Sequence, residues 1–207
     1  MPPKPKFTRE EIIDAAFEIV RAEGMNALTA RELGKKLGSS ARPIFTMFKD
    51  MNELKSEITI KANDLLKEYV SRAENYTPVF KQAVKETILF ASEEPNLFQL
   101  IFLSNNTEPE NFEFLKVKFK DETEDLLEVI KNNYGLNTQQ AMIAIKHTII
   151  YIYGIGAMCA AKVCTFTDEQ LNVILGEVFN GMLYYIKSGR INDEIIIPVE
   201  VNGNKEG

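Results

Sequence analysis

Two Thr-x-x-Glu boxes, Thr8 to Glu11 and Thr29 to Glu32, fix where the first two helices of this chain begin. In such a box the threonine hydroxyl accepts the amide of the third helical residue while the glutamate reaches back to the threonine amide. Phe7 with Ile12, and Leu28 with Leu33, have the spacing of a hydrophobic staple around each start. Ile12, Ile13, Ala16, Phe17, Ile19 and Val20 form one apolar stripe at helical period, and Gly24 ends it as a glycine beyond the last turn does. The second helix is short, because Gly38 stops it. A third is expected from about Ala41 to Phe48 with Ser40 as its N-cap. Pro43 is then the third helical residue, where its missing N–H would be unpaired anyway. Asp50 to Glu53 caps a fourth helix, striped by Leu54, Ile58, Ala62, Leu65, Leu66 and Tyr69 and ending near Ala73.

Helical grammar continues to residue 190. Thr77-Pro78 opens a helix with proline at its first position, and Pro95 closes it. Asn96 to Ser104 reads as a short buried helix, and Ser104 to Pro109 as a polar loop. Glu110 to Tyr134 is amphipathic and ends at Gly135. The most apolar helix is expected from Asn137 to about Cys164, and a last one, capped by Thr167, runs to Ser188. The only strand-like run is Ile195 to Val199, and Asn202 to Gly207 reads as disordered. The fold class is therefore all-α. Residues 1–50 form a small N-terminal three-helix unit, 51–190 a larger helical domain in which 51–73 is the linking helix, and 191–207 a tail.

Charge is distributed unevenly between these parts. The formal net charge is −6, yet residues 1–50 hold nine Lys/Arg against seven Asp/Glu. The first fifty residues are thus the stretch that a polyanion would tolerate best. The longest charge-free run, His147 to Ala161, has 15 residues, short of the roughly 20 of a membrane span. No secretory signal precedes Lys6, so a cytoplasmic protein with no membrane partner is expected. Cys159 and Cys164 are expected to be reduced core residues that face different directions on one helix. With a single histidine, no metal spacing and no phosphate loop, no catalytic residue, metal or cofactor is expected, and the chain does not read as an enzyme.

Two short capped helices joined at a glycine and braced by a first helix make a helix-turn-helix pattern. Beyond the pattern, Phe7 to Leu54 resembles the DNA-binding domain of the tetracycline-repressor (TetR/AcrR) family. The resemblance is carried by Thr-x-Arg-Glu-Leu-Gly from Thr29, Gly-Ser-Ser from Gly38, Ile-Phe-x-x-Phe from Ile44, and the run Asp50 to Leu54. It implies a reading helix in the major groove of a double-stranded DNA operator, with Ser39, Ser40, Ala41, Arg42, Pro43, Thr46 and Met47 at the base edges. Arg42 is the side chain able to grip guanine bidentately, while Thr46 and Met47 offer a hydroxyl and an apolar contact to a thymine methyl. Lys4, Lys6, Thr29, Arg31 and Lys49 are placed for phosphates. Phe45 replaces a tyrosine that reaches a phosphate in the family, and Met51 replaces a lysine. Phe45 and Phe48 read more readily as packing than as stacking groups, and Arg31 as readily pairs with Glu32 or Glu10.

The same resemblance implies a homodimer, since two reading helices must lie about 34–36 Å apart on DNA. Gly154, Ala157 and Ala161, with Ile174, Val178, Gly181 and Tyr185, are the residues on which the last two helices would pair across a two-fold axis. A pocket for a small-molecule effector, largely apolar from its candidate lining, would involve Phe90, Phe98, Phe102, Phe119, Tyr151 and Met158, with His147 and Thr148 as polar anchors. Each of these also reads as ordinary core. The family's common mode is repression, with effector binding transmitted through the linking helix. The rival reading is a helical small-molecule or protein-binding module whose DNA binding is weakened, motivated by Phe45 and Met51.

Overall fold

The computed structural model describes residues 6–104 and 120–190, which are helical and contain no strand. Lys4, Phe119, the start of the helix expected from Glu110, and the strand-like and terminal parts of the tail lie outside the described residues. The helices are α1 (Arg9–Glu23), α2 (Ala30–Lys36), α3 (Ile44–Met47), α4 (Met51–Ser71), α5 (Val79–Glu93), α6 (Pro95–Phe98), α7 (Lys120–Tyr134), α8 (Thr138–Ala160) and α9 (Asp168–Lys187). The chain divides into two compact units, Met1–Ser104 with Tyr151–Thr167, and Asn105–Ile150 with Asp168–Gly207.

Local chemistry sets most boundaries. Thr8 caps α1 with the complete reciprocal box, its hydroxyl accepting from the Glu11 amide at 3.1 Å while the Glu11 carboxylate accepts from the Thr8 amide at 2.7 Å. At α2 the threonine half forms, Thr29 Oγ1 accepting the Glu32 amide at 3.1 Å, but the Glu32 carboxylate turns to Lys35 instead. Asp50 caps α4 by accepting the amides of Asn52 and Glu53. Asn137 and Gln140 make a second reciprocal box at the start of α8. Gly24, Gly38, Gly135 and Gly189 follow helix ends with positive φ, which costs glycine no Cβ clash.

Three boundaries differ from the sequence expectation. The third helix is a single turn, Ile44–Met47, preceded by Pro43 at the N-cap position with no side-chain cap bond. Ser40 is not its cap, because 39–41 are consumed by the turn that crosses α2. Pro78 sits at the N-cap of α5 rather than at its first helical position. The apolar helix stops at Ala160, not near Cys164: Lys162 takes a left-handed backbone (φ 57), and the Lys162 and Val163 amides donate back to the carbonyls of Cys159 and Met158. Cys164 therefore lies beyond the helix that carries Cys159, so the helical spacing from which the two were expected to face apart does not apply to them. Both are free, and burial pushes the Cys159 thiol up.

In the first unit α4 lies along α5, and α1 packs against α2, α4 and α6. Ile12, Ala16, Val20, Leu33, Ile44, Leu54 and Ile58 are fully buried among these helices. The Arg21 guanidinium grips the buried Glu94 carboxylate through Nε and Nη2, and Asn96 Nδ2 donates to the Arg21 carbonyl at 2.9 Å. The last turn of α1 is thus tied to the α5–α6 junction. Tyr69 donates to Glu93 at 2.6 Å, and its phenol is pushed up to about 12, first by burial and then by that carboxylate. Beyond α6 the chain continues as one π-helical stretch, Gln99–Leu103. Phe98 stacks on Phe102 there at 4.5 Å, and Phe102 meets Tyr153 edge-on.

In the second unit, Leu171, Leu175, Phe179, Met182 and Ile186 form the buried stripe of α9, while Ile130, Ala141 and Ala144 are buried on α7 and α8. Among the described residues α8 alone is long and apolar enough to cross a membrane by length and composition, with mean hydropathy 1.4, and 33% of that window is buried. The charge-free run within it is shorter because Lys146 lies inside the helix.

Candidate functional site

The turn between α2 and α3 is built on Gly34. The Gly38 amide donates to the Lys35 carbonyl and the Ser39 amide to the Gly34 carbonyl at 2.8 Å, the paired bonds of a Schellman ending. The chain then folds back across α2. A Cβ on Gly34 would lie 3.1 Å from each of three backbone atoms of Ser39, Ser40 and Ala41. Backbone cannot swing aside as a side chain can. Gly34→Val is therefore expected to destabilise the chain by about 2–3 kcal/mol, measured by denaturant unfolding of the full chain. Wild-type stability in that variant would mean the turn is not packed on α2.

The far end of α3 is held by Arg9. Its guanidinium donates to the Met47 carbonyl at 2.9 Å, to Glu53 at 2.8 Å and to Glu57 at 2.6 Å, and lies 4.1 Å from the centre of the Phe48 ring. These bonds raise the Arg9 pKa. The Lys49 amide, donating at 2.6 Å, and then Arg9 hold the Glu53 carboxyl below its ordinary range. The amides of Glu53 and Asn52 do the same for Asp50. Sequence reasoning missed Arg9, although one signal was present. A cation in the first turn of a helix opposes the helix dipole, so its presence asks for carboxylates from elsewhere.

With its ends fixed, α3 turns Ile44 inward and leaves Phe45 and Thr46 exposed; Phe48, the extended residue after it, is buried, while Arg42 before the helix and Lys49 after it are exposed. Thr46 Oγ1 donates to the Arg42 carbonyl at 3.2 Å. Lys6, Phe7, Ser40, Arg42, Pro43 and Thr46 line a shallow depression of about 220 Å³. Lys6 Nζ also donates to Ser39 at 3.4 Å. Met47 and Ala41 are half-buried, and the Thr29 hydroxyl is committed to capping α2.

Charges on this unit are sorted by pairing. Arg9 is matched by Glu53 and Glu57, Arg21 by Glu94 and Glu18, Lys35 by Glu32, and Lys61 by Asp14. Lys6, Arg31, Lys36, Arg42 and Lys49 have no ion pair among the described residues. Arg31 in particular pairs with neither Glu32 nor Glu10. The carboxylates of the first three helices are largely occupied, and the cations left over lie on α2, on either side of α3 and before α1, with Lys55 of α4 also unpaired among the described residues.

The candidates for an effector site fall on both units. Phe90 and Phe98 are fully buried, the former edge-on to Tyr69 at 5.2 Å. Phe102 is half-buried, and Tyr151 and Met158 are exposed. In the second unit Thr148 is buried with its hydroxyl donated to the Ala144 carbonyl, and His147 is half-exposed. Of the proposed dimer residues, Gly154, Ala161, Gly181 and Tyr185 are exposed and Ala157, Ile174 and Val178 half-buried. A Cβ on Gly154 or Gly181 would meet nothing within 4 Å, whereas one on Gly156 would meet Phe98. No protein-family model matches the chain, and no curated protein matches it.

Proposed function

We propose that the chain is a DNA-binding transcriptional regulator of the tetracycline-repressor type. It would act as a homodimeric repressor on a palindromic operator and release it when a largely apolar small molecule binds the helical body. In this reading α2 and α3 are the helix-turn-helix, and Arg42, Phe45, Thr46 and Lys49 face the groove. The supporting observation is that, on a chain of net charge −6, Lys6, Arg31, Lys36, Arg42 and Lys49 lack a carboxylate partner among the described residues and give the segment around α2 and α3 an exposed cationic face, although Lys55, Lys162, Lys187 and Arg190 are likewise unpaired elsewhere. Such a face attracts phosphates, while its single guanidinium on the reading turn supplies bidentate recognition of guanine. The second copy would pack along Gly154, Ala157 and Ala161 of α8 and Ile174, Val178, Gly181 and Tyr185 of α9, residues that one chain leaves wholly or partly exposed.

The rival reading, a helical module without DNA binding, draws on the brevity of α3 and on Phe45, which has no hydroxyl for a phosphate. Selection of duplexes from genomic fragments with the purified full chain separates the two. A recurrent palindromic site is expected. Arg42→Ala should then weaken that site by about 1–3 kcal/mol and relax preference at one base pair of each half-site. No enrichment at any salt would remove the DNA-binding reading, and an unchanged base preference in Arg42→Ala would remove Arg42 as the reader.

A further inference from the structure

The outward face of α3 has an apolar centre between two cations. Phe45 is 51% exposed, Arg42 just before the helix and Lys49 just after it are exposed, and neither cation has a carboxylate partner among the described residues. Thr46, beside Phe45, is exposed, and its hydroxyl donates to the Arg42 carbonyl at 3.2 Å. Met47, expected from the sequence to supply the apolar contact, is half-buried, and Arg9 holds its carbonyl.

We infer that Phe45, with the Thr46 methyl, reads the 5-methyl group of thymine in duplex DNA. This rests on the DNA-binding reading above and adds a specificity determinant to it. The flanking cations select a polyanion as the occupant of the face. Of the major-groove groups that distinguish one base pair from another, all but one are hydrogen-bond donors or acceptors, which a phenyl ring would strip of water without replacing the bond, and the bare C5–H of cytosine offers a ring less apolar surface than the methyl. The exception is the thymine methyl. A phenyl ring has no hydroxyl to donate to a phosphate, so Phe45 contributes to base choice rather than to register.

The test uses the full chain and a duplex recovered from a random-sequence library. Each thymine of the recovered site is replaced singly by uracil, which removes only the methyl, and affinity is measured. One or two positions in each half-site are expected to lose about fourfold, the equivalent of about 0.8 kcal/mol for one buried carbon. Phe45→Ala should bind the thymine site about tenfold more weakly and show no further loss with uracil there. Phe45→Leu should retain part of the preference, and circular dichroism should show both variants folded, since the residue is exposed. Uracil tolerated at every position, or the same uracil penalty in Phe45→Ala, overturns the assignment while leaving DNA binding intact. Such a result leaves the ring for another partner, a protein or a second copy. Failure to recover any duplex overturns both readings together.

Discussion

Raising salt from about 50 to about 200 mM is expected to weaken binding of the full chain to its selected duplex by about a thousandfold. The magnitude follows from the unpaired cations. Arg42 is spent on a base edge and Lys36 lies at the far end of α2; Lys6, Arg31 and Lys49, the cations expected at phosphates, then neutralise about six over two heads. Each phosphate releases condensed counterions with a slope of about −0.9 in the logarithms, which gives about −5 overall. Lys49→Ala should make the slope shallower by about one for each head while leaving base preference alone. Lys61→Ala is the control. Its ammonium is paired with Asp14, so its removal should leave the slope unchanged. A wild-type slope shallower than about −2 would mean that phosphates do not hold the complex, and would favour the rival module. Equal effects of the two lysine variants would mean that net charge acts, not the sorted face.

What the sequence reveals and what it hides divide along the range of the interactions. Thr8, Thr29 and Asp50 were legible as caps because a cap is chemistry among residues three apart, and Gly38 and Gly135 were legible because a left-handed backbone selects glycine locally. The third helix was misjudged because its start depends on how 39–41 cross Gly34, a packing contact rather than a cap. The end of α8 was misjudged because Lys162, not a glycine, takes the left-handed turn. Arg9 holding Met47 and Arg21 holding Glu94 join residues 38 and 73 apart, and nothing in local spacing announces such partners. The exposure of Phe45 and Thr46 follows from helical period once Ile44 is known to face inward, whereas Arg42 and Lys49 lie outside the four-residue helix, where that period does not reach. For the effector candidates spacing is silent, since Phe90 and Phe98 have the same pattern whether they line a pocket or fill a core.

Two glycines two residues apart on α8 are expected to respond with opposite sign to the same substitution. Alanine inside a helix is favoured over glycine by up to about 1 kcal/mol, and at Gly154 nothing in the single chain lies within 4 Å of the added carbon, so Gly154→Ala should stabilise the chain by up to that amount at concentrations too low for copies to pair. At Gly156 the same carbon would overlap Phe98 Cζ and sit 2.8 Å from Cε2. Phe98 has no room to yield. It is fully buried and stacked on Phe102, whose ring is in turn held edge-on by Tyr153. Overpacking of this kind costs about 1–3 kcal/mol and outweighs the helical gain, so Gly156→Ala should lower stability by about 2 kcal/mol in denaturant unfolding. Trimming the ring that clashes should recover part of the loss. Phe98→Leu combined with Gly156→Ala is expected to be more stable than the sum of the two single changes, because the pair shares one contact. Equal stabilisation by both alanines would show that Phe98 does not pack on Gly156. A Gly154→Ala that costs stability only at high protein concentration would place the missing neighbour in a second copy of the chain, on the face where the proposed dimer needs it.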